Sequence, residues 1–148
     1  MQKYIANFLA TILLSVSALS YAEVDSALKK ECLSKKNKNL LSCTKIAVNP
    51  NLTNNAQRKK YLDLACPLNS QQYEPIACGI IGVDSMPEFT ADVDGYTVEF
   101  SNNNKMYSPD LKKAKVYLQR ACMAHESKNP SRERHCIAHK AVVQKLTN

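Results

Sequence analysis

Cysteine placement constrains this chain more than any other feature. Cys32 and Cys43 have ten residues between them, Cys66 and Cys78 eleven, and Cys122 and Cys136 thirteen. Each interval is polar and turn-forming, with helical periodicity on either side. The phrase Tyr-Leu-x-x-Ala-Cys is written twice, as YLDLAC over Tyr61–Cys66 and as YLQRAC over Tyr117–Cys122. Its spacing places Tyr, Leu, Ala and Cys on one face of a helix. The repeating unit is therefore a helical hairpin with one Cys on each helix.

Cap signals mark the units. Ser108 reads as an N-cap with Pro109 in the first turn, ahead of Ala114, Tyr117, Leu118, Ala121 and Cys122 on one face. Asn129-Pro130 opens the partner helix in the same way, with Ile137, Ala141, Val142 and Leu146 as its apolar stripe. Asn54 or Asn55 caps the helix bearing Tyr61, Leu62, Ala65 and Cys66, and Pro67 ends it. Its partner runs from about Glu74 and carries Ile76, Ala77, Ile80 and Ile81. The first unit is looser, with Leu28 in register but Glu31 in place of Ala.

A disulfide needs Cα atoms roughly 4.4–6.8 Å apart, which antiparallel helices reach near their connecting turn. The expected bridges are Cys32–Cys43, Cys66–Cys78 and Cys122–Cys136. Helix pairs this short bury little apolar surface, and local bridges of about 2–3 kcal/mol each supplement a thin core.

The N-terminal segment fits that chemistry. Residues 1–22 have Lys3 as their only charge, an apolar run from Ile5, and a Ser20-Tyr21-Ala22 ending, the layout of a secretory signal. The apolar run is short for a membrane anchor. The expectation is export, cleavage after Ala22, no stable membrane insertion afterwards, and a single helical repeat domain over 23–148. An even cysteine count in a small exported chain reads as a disulfide framework. The compartment expected is the bacterial periplasm or the exterior, where nucleic acid is not a partner. The formal net charge of +7 then means either solvated helix surfaces or attraction to an acidic partner.

These hairpins resemble the Sel1-like repeat family, close to tetratricopeptide repeats, and in particular its cysteine-rich secreted members. The resemblance rests on Tyr61, Ala65 and Cys66 with Cys78, and on Tyr117, Ala121 and Cys122 with Cys136. Cys32 and Cys43 match by position alone. The chain departs from the family in its three Gly, in wider Cys spacing within each unit, and in a segment that breaks the period. The resemblance implies an all-α stack of hairpins that binds another protein, as an immunity or inhibitor protein against a toxin or as an adaptor to an envelope component. It also implies an alternative, a weak β-lactamase or penicillin-binding activity, for which no residue here can be given the catalytic role.

The segment over about 83–107 is the break. Asp94-Gly95 signals a turn, Tyr96, Val98 and Phe100 alternate as in a strand, and Phe89, Ala91 and Val93 are placed to pair across the turn. Its acids contrast with the basic remainder, so it reads as a contact site or as a cap on a basic neighbour in the same molecule. Asp92, Asp94, Tyr96, Phe100 and Tyr107 are the expected partner-contacting residues. Cys122-x-x-His125 and Cys136-x-x-His139 imitate a Cys₂His₂ zinc spacing, which is the metal alternative to a bridge. Otherwise the sequence calls for no cofactor, no metal and no catalytic residue.

Overall fold

A computed structural model describes residues 26–52, 54–101 and 106–148. The secretory signal expected over 1–22 lies outside them. Among the described residues six helices alternate with short connections. Helix α1 covers residues 26–33. It is followed by α2 (Leu40–Ala47), α3 (Asn55–Ala65) and α4 (Pro75–Asp84), then strands β1 (Phe89–Val93) and β2 (Tyr96–Phe100), then α5 (Leu111–Met123) and α6 (Arg132–Thr147). The molecule is thus mainly helical with one small antiparallel sheet. No described helix is long and apolar enough to cross a membrane.

All three local bridges are present. Cα–Cα separations are 4.8 Å for Cys32–Cys43, 5.3 Å for Cys66–Cys78 and 4.6 Å for Cys122–Cys136. Each joins the last turn of one helix, or the residue just after it, to the body of the next. The Tyr-Leu-x-x-Ala faces point inward as their spacing requires: Tyr61, Leu62 and Ala65 on α3, and Tyr117, Leu118 and Ala121 on α5, are all buried. Helices pack mainly on their chain neighbours, α2 on α3, α3 on α4, α4 on α5 and α5 on α6. One core cluster spans α1 to α5, and a smaller one beneath the sheet gathers Met86, Leu118, Ala138 and Val142. Where α4 crosses α5, Gly82 is required: a Cβ there would lie 2.6 Å from Leu118 Cγ.

Several caps and faces differ from the sequence expectation. Asn54 and Glu74 do cap α3 and α4. Helix α5, however, is capped by Asp110, whose carboxylate accepts from the Lys113 amide at 3.0 Å, and not by Ser108. Helix α6 begins two residues later than Asn129-Pro130 suggests, with Ser131 at the cap position. Its buried face is His135, Ala138, Ala141 and Val142, while Ile137 is half-buried and Leu146 exposed. Helix α6 packs against β1 as well as α5. On α1, Glu31 departs from the Ala of the other units because its carboxylate accepts from Ser42 Oγ and Asn39 Nδ2, joining α1 to the start of α2.

The hairpin forms in the expected register, with Phe89 opposite Phe100, Ala91 opposite Val98 and Val93 opposite Tyr96. Asp94 (φ 53°) and Gly95 (φ 84°) both take the left-handed conformation, the pairing that two-residue hairpin loops favour. An isolated two-stranded sheet is marginal in water. Here Val93 is buried, and Phe89 and Phe100 stack with ring centroids 5.1 Å apart over the smaller core.

Candidate functional site

The hairpin does not gather its expected contact residues into one surface. Tyr107 is 2% exposed, so its ring is core and not available to a partner. Its hydroxyl donates to Asp63 Oδ1 at 2.9 Å, with Lys59 O at 3.4 Å. Two ammonium groups face its ring, Lys113 Nζ at 4.2 Å and Lys59 Nζ at 5.0 Å from the centroid. Burial, then the neighbouring Asp63 carboxylate, push the phenol pKa well above its usual range. Phe100 is spent on Phe89. Asp94 accepts from Lys140 Nζ at 2.8 Å, and Asp92 Oδ1 accepts from Thr97 Oγ1 at 2.7 Å. Tyr96, 74% exposed, is the one expected aromatic that presents itself to solvent. Of the hairpin acids, Asp94 thus pairs with the basic helix α6 of the same molecule, while Asp92 is held within the hairpin.

The zinc alternative meets the third bridge. Cys122 and Cys136 are bonded to each other, so neither sulfur is a thiolate. His125 Nδ1 lies 2.9 Å from Ser127 Oγ. No group of three or more His, Cys, Asp or Glu able to hold a metal ion occurs among the described residues.

A different site emerges where the connecting turns of the hairpins meet. Two open cavities of about 580 Å³ and 500 Å³ adjoin and share Leu40, Tyr73, Pro75 and Lys128 in their walls. Together they form a trough bounded by the start of α2, the α3–α4 connection and the α5–α6 turn. The apolar surface comes from Leu40, Tyr73, Pro75 and, at one end, Met123, which is 71% exposed. Lys38, His125 and Lys128 supply a basic rim, and Gln71 and Gln72 supply amides.

The trough is held rigid from behind. Arg120 on α5 donates through Nη1 to Pro67 O at 2.8 Å and through Nη2 to Leu68 O at 2.7 Å, fixing the turn after Cys66. The same guanidinium lies 5.1 Å from the Tyr73 ring centroid, and the Tyr73 hydroxyl approaches Arg120 O at 3.4 Å. A planar fork on two carbonyls with an aromatic against it is a use of Arg that Lys cannot reproduce. Glu74 is buried beneath the trough, where its Oε2 accepts from Thr44 Oγ1 at 3.0 Å and from the Ala77 amide at 2.8 Å. That carboxylate joins α2 to α4, and no exposed acidic group occurs among the residues lining the trough.

The α5–α6 wall is fixed by Asn129, which is fully buried. Its Nδ2 donates to Ala121 O at 2.7 Å and lies 3.0 Å from His135 Nδ1, while its Oδ1 accepts from the Ser131 amide at 3.1 Å. Because that nitrogen must donate to the Ala121 carbonyl, His135 Nδ1 accepts and the ring proton sits on Nε2. Burial lowers the His135 pKa, which agrees with a neutral ring. Arg132 closes the turn, its Nε donating to Cys122 O at 2.8 Å. The sequence does contain the parts, Tyr73, Arg120 and Asn129, but carries no local signal that they converge.

No family model matches the chain, and no match is found among curated proteins or solved structures.

Proposed function

We propose that this protein is an exported binding module of the bacterial periplasm or exterior, built from Sel1-like or tetratricopeptide-like helical hairpins, and that its trough receives a segment of another protein. The observation that carries this reading is the trough itself: an apolar floor walled by cross-linked connections and locked from behind by Arg120 and Glu74. Three disulfides support an oxidising compartment outside the cytoplasm. Stapled hairpins present side chains on a frame that loses little freedom on association, which favours binding at a modest contact area. An immunity or inhibitor role against a toxin and an adaptor role toward an envelope component both use such a surface, and a toxin gene beside this one would favour the former.

The test is capture of partners from the envelope fraction by the oxidised chain, alongside a Met123→Asp, Leu40→Asp variant of unchanged melting temperature. A partner held by the parent and released by the variant supports the reading. A partner held equally by both, or nitrocefin turnover that disappears on unfolding, replaces it.

A further inference from the structure

The chemistry of the trough selects among partner segments, and this step rests on the reading just given. We infer that the occupant is an extended acidic segment of the partner protein, with apolar side chains alternating with carboxylates.

Charge is the first reason. Lys38 and Lys128 line the trough from different segments, the approach to α2 and the α5–α6 turn, with His125 beside the latter. Glu74, the one carboxylate lining the trough, is buried and already accepts two hydrogen bonds. Among the lining residues an incoming carboxylate therefore meets the Lys38 and Lys128 ammonium groups and no exposed acid, the Glu126 carboxylate of the same turn lying outside the lining and facing Arg132. Such complementarity directs encounter and rejects wrong partners.

Shape is the second reason. Two adjoining open cavities that share Leu40, Tyr73, Pro75 and Lys128 give a surface larger than either one alone, with room for several residues of a partner. An extended chain advances about 3.3 Å per residue and sends alternate side chains to opposite sides. One set of side chains then rests on Leu40, Tyr73 and Pro75 while the other faces the lysines. Gln71 and Gln72 line the same surface with side-chain donors and acceptors suited to an exposed peptide backbone. Met123 at the end adapts to different apolar side chains, because its thioether stem is flexible and polarisable.

The experiment uses the full oxidised chain after export, labelled with ¹⁵N, and two synthetic probes, Gly-Glu-Leu-Glu-Leu-Glu-Gly and its counterpart with Lys in place of each Glu. Amide shifts are followed during titration of each probe. The expected result is shifts confined to the trough, at Gln71, Gln72, Met123 and Lys128, and at least tenfold tighter binding of the acidic probe. A Lys38→Glu, Lys128→Glu variant, altered only at exposed positions, reverses the preference. Leu40→Asp weakens both probes. Equal affinity for the two probes, shifts centred elsewhere, an absence of shifts, or displacement of the acidic probe by heparin as effectively as by unlabelled peptide overturns the inference. The proposed function is judged separately, since partner capture lost in the Met123→Asp, Leu40→Asp variant upholds a binding trough even when the acidic preference fails.

Discussion

Gly79 on α4 and the His135 imidazole on α6 meet with no room for a side chain between them. A Cβ built on Gly79 would overlap Cε1, Nε2 and Nδ1 of the ring. The ring cannot swing away freely, because Asn129 holds its Nδ1 and the site is buried. In an open helix, Gly→Ala stabilises by about 1 kcal/mol. Here overpacking reverses the sign, and Gly79→Ala is expected to destabilise by about 1–2 kcal/mol. In a His135→Ala background the same substitution becomes neutral or stabilising. Denaturant titration of the oxidised single and double variants measures both signs.

Stability falls on acidification through the histidine range. Burial lowers the folded-state pKa of His135 below its ordinary 6.5, and burial with the nearby Lys115 charge lowers that of His139. The unfolded chain then binds protons first as the pH drops through about 6.5, which draws the equilibrium toward unfolding. The contribution is complete above that value and is progressively lost below it, down to the folded pKa values. Melting temperatures between pH 8 and 5 are expected to decline, and His135→Gln is expected to flatten the decline.

The three bridges differ in access. Cys32, Cys43, Cys66 and Cys78 are each 0% exposed, whereas Cys122 and Cys136 are only half-buried. A soluble thiol must reach a sulfur to attack it, so Cys122–Cys136 is expected to open first. Alkylation and peptide mapping across graded dithiothreitol measure the order. Replacing both Cys122 and Cys136 by Ala is expected to reduce stability by about 3 kcal/mol while leaving the other two bridges formed.

Asp84 fixes the chain where it returns from the hairpin. Its Oδ2 accepts from the Met106 amide at 2.6 Å and from the Tyr107 amide at 2.7 Å. It sits at the last position of α4, where the helix dipole disfavours a negative charge, and these donors offset that effect. Asp84→Ala is expected to lower stability by about 3 kcal/mol, since bonds to a buried charge are worth about 1.5–3 kcal/mol each. Hydrogen exchange at the Met106 and Tyr107 amides should accelerate in the same variant.

What the sequence disclosed follows the range of the interactions involved. The three bridges, the inward faces of α3 and α5, and the hairpin register were legible because each is decided within about fifteen residues. Cys spacing, helical periodicity and Asp94-Gly95 carry that information locally. The burial of Tyr107 was not legible, since it depends on Asp63, Lys59 and Lys113 arriving from two other helices. The α5 cap fell to Asp110 because its carboxylate, and not the Ser108 hydroxyl, reaches the Lys113 amide. Asn129 looked like a helix opener and instead ties a loop to His135 and Ala121. The trough was the least legible feature, because Leu40 at the start of α2, Tyr73 in the α3–α4 connection and Lys128 in the α5–α6 turn are brought together only by the assembled fold.

Each bridge joins a cysteine to the very next one along the chain. A polypeptide threaded N-terminus first into an oxidant would meet its thiols in the order in which they must marry. Sequential oxidation would then yield the native set without any reshuffling, so maturation should not depend on a disulfide isomerase.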